Sequence, residues 1–185
     1  MVVTFCYDNT MNIYVIRHGQ TELNVKGYIN GSLEDPLTPT GIEQAYAAAL
    51  ILPDTIQRMY VSSLSRTRQT AAILNEVRQL PVAFSDDLQE VNFGVLNGTQ
   101  FLPEHKMRHE SMSYDWRPSG ESFDDVKRRV LRILGKIQKE NGDSEALIVA
   151  HGGIIRMLHY LEFGETLGEI KNASLSHFDI DKILA

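Results

Sequence analysis

Two short apolar runs, residues 13–16 (Ile-Tyr-Val-Ile) and 146–150 (Ala-Leu-Ile-Val-Ala), each stop abruptly at polar residues: Arg17-His18-Gly19 after the first and His151-Gly152-Gly153 after the second. Short apolar runs bounded by glycine read as strands buried on both faces, which is the habit of a parallel sheet covered by helices. In an open α/β sheet the site forms outside the carboxyl ends of the strands. A histidine at two such ends therefore predicts that His18 and His151, far apart in the chain, converge on one edge. The rest of the chain alternates in the same way. Met59-Tyr60-Val61 reads as a strand leading into a helix that runs to about Arg78, with Ala71, Leu74 and Val77 on its apolar face. Pro81-Val82-Ala83-Phe84 and the segment from Leu175 to Ile180 read as further strands, the last one closing the sheet.

Between these runs the punctuation is explicit. Residues 18–37 are rich in Gly, Asn, Asp and Pro and read as one long loop, which inside a compact domain is usually functional. Thr38-Pro39-Thr40-Gly41-Ile42-Glu43 opens a helix towards Leu52, with Pro in the first turn and Thr40 and Glu43 at capping-box spacing. Ser122 and Asp125 have the same spacing ahead of a long helix with the apolar stripe Val126, Val130, Ile133, Leu134 and Ile137. Its basic run, Lys127, Arg128, Arg129 and Arg132, reads as a solvated face. Gly19 is expected to let the backbone approach a ligand closely.

Bulk composition narrows the function. The chain of 185 residues has the length of one domain with a sizeable core, and its net charge of −6 offers no broad basic footprint for nucleic acid. A local positive pocket in an acidic molecule would still steer a small anion. Cys6 is the single cysteine, which excludes an intramolecular disulfide and a multi-cysteine zinc cage. No apolar run is long enough to span a bilayer, and residues 1–10 lack the basic start and cleavage site of a signal peptide. A cytoplasmic location is the expectation, with no membrane or nucleic-acid partner.

Several polar residues stand out. An arginine can grip a phosphate with two parallel hydrogen bonds, and a histidine can act as a nucleophile, so Arg17 and His18 suit phosphate chemistry. Arg66 falls in the first turn of its helix, where free N–H groups and the positive dipole end favour an anion; Arg68 faces elsewhere and reads as surface. Glu90, between Leu88 and Val91, has the part-buried setting of a proton donor. His105 and His109, four apart with Glu110 beside them, are weighed as metal ligands and set aside, because the intervening glutamate of the zinc-protease motif is missing. Residues 101–117 read instead as a cap, with Met107, Met112, Tyr114 and Trp116 as an adaptable apolar wall, or equally well as ordinary core packing.

These motifs carry a resemblance. Arg17-His18-Gly19 followed by Thr21 and Asn24, the loop-to-helix stretch Asn30-Gly31 to Gly41 with Gln44-Ala45, Arg66 after Ser62-Ser63, Glu90 before Gly94 and Gly98, Pro118-x-Gly120-Glu121-Ser122, and His151-Gly152 resemble the histidine phosphatase superfamily, which includes cofactor-dependent phosphoglycerate mutases. Serine at Ser63 and threonine at Thr67 depart from its usual proline and alanine, without removing a phosphate contact. Family members commonly begin near Met11, so residues 1–10 are expected to be an N-terminal extension and 11–185 a single catalytic domain. The resemblance implies a three-layer α/β/α sandwich with a mostly parallel central sheet, of the phosphoglycerate mutase-like kind.

It also implies roles. His18 would be the nucleophile and Glu90 the proton donor; Arg17, Asn24, Arg66, His151 and Gly152 would bind the phosphate. No metal and no cofactor are expected. The partners would be a small phosphorylated substrate and inorganic phosphate as product, with a homodimer left open. A phosphomonoesterase working through phosphohistidine is the leading expectation. Phosphoglycerate mutase is the alternative, disfavoured because the span from Glu90 to Pro118 is short and its only cations are Lys106, Arg108 and Arg117. A silent phospho-ligand-binding module is a further alternative, disfavoured because every expected position is filled.

Overall fold

The computed structural model describes residues 11–185; the extension expected at residues 1–10 lies outside the described residues. Five strands, β1 (Asn12–Arg17), β2 (Arg58–Ser62), β3 (Val82–Ser85), β4 (Ala146–Ala150) and β5 (Leu175–Asp179), form one sheet in the order β3-β2-β4-β1-β5. β1, β2, β3 and β4 run parallel and β5 closes the edge antiparallel to β1. The helices are α1 (Glu22–Lys26), α2 (Pro39–Ala49), α3 (Ser65–Arg78), α4 (Pro103–Glu110), α5 (Phe123–Asn141), α6 (Gly152–Phe163) and α7 (Ile180–Leu184).

Alternation along the strands divides the core into two layers. Ile13 and Val15 of β1, with Ala146, Ile148 and Ala150 of β4, pack with the apolar faces of α5, α6 and α7. Ile16, Leu147 and Val149 point the other way and join Met59, Val61, and residues of α2 and α3. Every residue of β4 is buried, as its unbroken apolar sequence requires of a strand covered on both faces. This is the expected three-layer α/β/α sandwich with a mostly parallel sheet.

Local differences have physical reasons. Residues 18–37 contain a helix, α1, because Thr21 and Asn24 form a reciprocal capping box. α2 is capped by Thr38, whose hydroxyl accepts from the Gly41 N–H at 3.0 Å, and not by Thr40. On α3, Ala71 and Leu74 are buried as expected but Val77 is 52% exposed, beyond the edge of the layer. All five stripe residues of α5 are buried, yet Arg129 from its basic run is buried too and has a separate job described below.

Candidate active site

The register brings the two histidine-bearing strand ends side by side. Arg17 pairs with Ala150, so His18 and His151 leave adjacent parallel strands together, and the His18 N–H donates to the Ala150 carbonyl at 3.0 Å. Their rings lie 5.3 Å apart between centroids. Both are fully buried. The His18 Nδ1 sits 2.7 Å from the Gly19 carbonyl. A carbonyl only accepts, so Nδ1 carries the hydrogen and Nε2 keeps its lone pair. Burial, and then the Arg66 and Arg17 guanidiniums, hold the His18 pKa well below the ordinary 6.5. The imidazole is therefore neutral and nucleophilic at neutral pH.

Gly19 is pressed against main chain. A Cβ there would stand 2.3 Å from the Gly41 carbonyl oxygen, and one on Gly41 would stand 2.1 Å from the Gln20 carbonyl oxygen. It is the backbone of α2 that makes the close approach at this glycine. The Gly19 N–H is further tied to the Thr70 hydroxyl at 3.1 Å.

The guanidiniums are fixed by carbonyls. Arg66, fully buried, donates through Nη1 to Leu33 at 2.7 Å and through Nη2 to Gly31 at 2.8 Å, while its buried Nε has no partner among the described residues. Burial lowers its pKa to about 10, against the pull of the Glu90 carboxylate, so it stays charged. Arg17 donates to the Ile170 carbonyl and likewise keeps a buried, unpartnered Nε. One buried cation, Arg66, and one part-buried, Arg17, each with an unmet buried Nε and no ion pair among the described residues, form a setting that wants an anion. His151 adds a third group: its Nε2 bonds the Ser62 hydroxyl at 2.8 Å and its buried Nδ1 is unpartnered. Burial and Arg66 lower its pKa well below 6.5.

Asn24 lines the cleft but is engaged: its amide donates to Asn30 at 3.1 Å and its carbonyl oxygen accepts from Asn172 at 3.1 Å. Asn172 also donates to the His18 carbonyl at 3.1 Å. Gly152 begins α6 at the cleft floor.

Glu90 is part-buried and seated on the start of α6. Its Oε1 and Oε2 accept from the Gly153 N–H at 3.1 and 3.2 Å, and Oε1 also accepts from its neighbour Val91 at 2.9 Å. Its backbone is clamped from outside. Arg129 donates to the carbonyls of Asp87 (2.8 Å), Gln89 (2.7 Å) and Glu90 (3.2 Å), and is itself held by Glu121 at 2.8 Å. Glu121 of the Pro-x-Gly-Glu-Ser stretch thus braces the carboxyl segment. Gly153 constrains the carboxyl directly: a Cβ there would fall 2.2 Å from Glu90 Oε1. Gly153→Ala is expected to swing the carboxyl away and lower kcat ~100-fold while the melting temperature changes little; steady-state kinetics beside a thermal melt checks this, and unaltered kcat would refute it.

The cleft above these groups measures about 370 Å³. Tyr28, Phe93, Phe101, Lys106, His109, Glu110, Arg156, Glu169 and Ile170 complete its wall. The segment 101–117 does supply part of that wall, but through Phe101, Lys106, His109 and Glu110. Met112, Tyr114 and Trp116 are core residues, and Met107 is 66% exposed. His109 stands tilted against Phe93 and Tyr114, at centroid distances of 5.0 and 5.3 Å, and burial lowers its pKa to about 4. Arg68 is exposed as expected, over the Phe84 ring. Ser62, Asn172, Gly153 and Arg129 were not singled out by sequence; each acts through a fold contact that residue type and spacing do not reveal.

The sequence profile of the histidine phosphatase superfamily (branch 1) matches residues 13–183. A broad-specificity phosphatase of Saccharomyces cerevisiae, YOR283W, is 31% identical over 163 residues, covering 82% of this chain and 70% of its own. The adenosylcobalamin/alpha-ribazole phosphatase of Escherichia coli is 30% identical over 156 residues, covering 80% and 77%. Among solved structures, the mycobacterial glucosyl-3-phosphoglycerate phosphatase Rv2419c superposes with a TM-score of 0.80 at 28% identity, covering 90% of this chain and 92% of that one. Taken with the strand-end histidines and the two guanidiniums, these likenesses establish that the chain belongs to the histidine phosphatase superfamily, branch 1.

Proposed function

We propose that the protein is a metal-independent phosphomonoesterase that hydrolyses small phosphorylated metabolites through a phosphohistidine. The observation that carries this reading is the His18 ring: held by its Nδ1–H on Gly19, neutral, and set beside two arginines, Arg66 buried and Arg17 part-buried, each with an unmet Nε donor. In the first step Nε2 attacks phosphorus in line with the ester oxygen. The N–P bond forms as the P–O bond breaks, and the Glu90 carboxyl gives its proton to the leaving alkoxide. Arg17, Arg66 and His151 face the equatorial oxygens, where charge builds in the transition state, and Asn24 and the Gly152 turn bound the same hollow. In the second step water attacks phosphorus, the N–P bond breaks, and the Glu90 carboxylate takes the proton of the water. Inorganic phosphate leaves and both residues return to their starting state.

Release to water, and not mutase-type retention of a bisphosphate, fits the charges of the cap. Arg108 lies over the Trp116 ring at 4.9 Å, and Arg117 is paired with Asp115, so of the three cations in this span only Lys106 reaches the cleft. The relatives named as phosphatases support the same choice. No helix among the described residues is long and apolar enough to cross a membrane, and we place the enzyme in the cytoplasm as part of this proposal.

The test is Glu90→Gln. On alkyl phosphates, whose leaving group needs a proton, kcat is expected to fall ~100- to 1000-fold. On p-nitrophenyl phosphate, whose leaving group departs as a stable anion, the fall should be much smaller. Equal losses on both would remove Glu90 as the proton donor.

A further inference from the structure

Glu90, the proton donor of the proposed reaction, rests on the Gly153 N–H. The space above the adjoining Gly152 therefore lies on the side from which the alcohol leaves. Two guanidiniums border it: a Cβ on Gly152 would stand 3.4 Å from Arg156 Nη1 and 3.8 Å from Arg17 Nε.

Arg156 is held still. Its Nε donates to the Leu167 carbonyl at 3.2 Å, and its Nη2 donates to the Gly168 carbonyl at 2.7 Å and to Glu110 at 3.1 Å. Its Nη1 makes no hydrogen bond among the described residues, although the side chain is only 11% exposed and lines the cleft. A fixed cation with an unmet donor in a shielded place favours an anion.

That anion is a different one from the transferred phosphate. The charges that shift His18 and His151 include Arg66 and Arg17 but not Arg156, which acts instead on Arg17 and His109. Arg156 thus stands on the Glu90 and His109 side of Arg17, away from the attacking nitrogen. The surrounding wall limits the charge that it can take. Lys106, half exposed at the rim, stands 4.0 Å from Glu110 Oε1, the oxygen that Arg156 Nη2 also meets. Glu169 adds another carboxylate to the lining. One free nitrogen facing two carboxylates suits a single negative charge better than the double charge of a second phosphate.

From this we infer that Arg156 is a specificity determinant whose Nη1 receives a carboxylate carried by the leaving alcohol close to the ester oxygen, so that phosphate monoesters of small hydroxy acids are preferred. The inference rests on the phosphomonoesterase reading above and names the substrate class of that same site.

The test sets phosphoglycolate, 3-phosphooxypropionate and 4-phosphooxybutyrate each beside its neutral primary amide, which has nearly the same shape without the charge. For the chain length that reaches Nη1, kcat/KM of the acid is expected to exceed that of the amide by ~10-fold or more. Arg156→Gln should bring that ratio down towards unity. Glu110→Gln removes the competing carboxylate while Arg156 stays on its two carbonyls, and should raise the ratio ~3-fold; it tests the inference by itself if the Arg156 variant does not fold. A merely structural role would lower acid and amide together. The inference is overturned if no acid outruns its amide, if a folded Arg156→Gln or Glu110→Gln keeps the parent ratio, or if propane-1,3-diol bisphosphate is preferred to the acids. A raised Ki for inorganic phosphate in Arg156→Gln, with equal losses on acids and amides, would place Arg156 on the transferred phosphate and overturn it too. Failure to hydrolyse any of these esters, and p-nitrophenyl phosphate as well, would overturn the phosphatase reading itself.

Discussion

His18→Ala is expected to lower turnover of p-nitrophenyl phosphate by ~10⁴-fold or more, and to abolish the acid-labile, alkali-stable phosphoprotein that rapid quenching should trap in the parent enzyme. The size of the effect follows from what the ring supplies. Phosphate esters hydrolyse very slowly unaided, and the covalent step divides that barrier in two. Alanine should leave the proposed oxyanion hollow in place, because Arg66 is held by the Gly31 and Leu33 carbonyls and Arg17 by Ile170, none of which hydrogen-bonds the imidazole. Phosphate should therefore still bind the variant. Loss of binding along with turnover would point to a collapsed site, and a labelled phosphoenzyme in the variant would exclude His18 as nucleophile.

The second large effect concerns stability in acid. His18, His109 and His151 are fully buried, and burial lowers the pKa of each below the ordinary 6.5. The unfolded chain takes up protons on these rings near 6.5, whereas the folded chain takes them up only at lower pH. Between those values the unfolded state binds more protons, so stability rises with pH in that window and is lost as acid is added. His109, whose pKa is lowered to about 4, then costs about 1.4 kcal/mol per pH unit below 6.5, so a fall from pH 7 to 5 removes about 2 kcal/mol at that ring, and His18 and His151 act in the same direction. Folding free energies are themselves only about 5–15 kcal/mol. Thermal melts in the two buffers should show a lower melting temperature at pH 5, and His109→Phe, which keeps a ring against Phe93 and Tyr114, should remove about 2 kcal/mol of that loss. A melting temperature that does not move with pH would mean that the rings are charged in the folded protein.

Much of this was legible in residue order because the most constrained residues are also the most local. A strand buried on both faces must be apolar throughout, so β4 and its terminating His151 could be seen directly, and the Ser122–Asp125 capping box marked the start of α5. What stayed hidden was non-local. Arg129 looks like one member of a surface charge run until the fold brings the carbonyls of Asp87, Gln89 and Glu90 within its reach. Asn172 is an ordinary loop asparagine until it meets the His18 carbonyl from the far end of the chain. Met112, Tyr114 and Trp116 suit a pocket wall as well as a core by type, and only the position of α4 decides between them. The contact of Gly19 with Gly41 is equally invisible, since no sequence pattern announces that the first turn of α2 lies against it.

That contact has a consequence for how such a protein can change. The nucleophile's turn and the first turn of α2 are pressed main chain to main chain, with no side chain between them to be trimmed or enlarged. Drift elsewhere in the cleft can redraw which alcohol is welcomed, one wall residue at a time, without disturbing the attacking nitrogen. At Gly19 and Gly41 no such gradual path exists: adding a single methyl group to either would force two backbones apart and carry the imidazole with them.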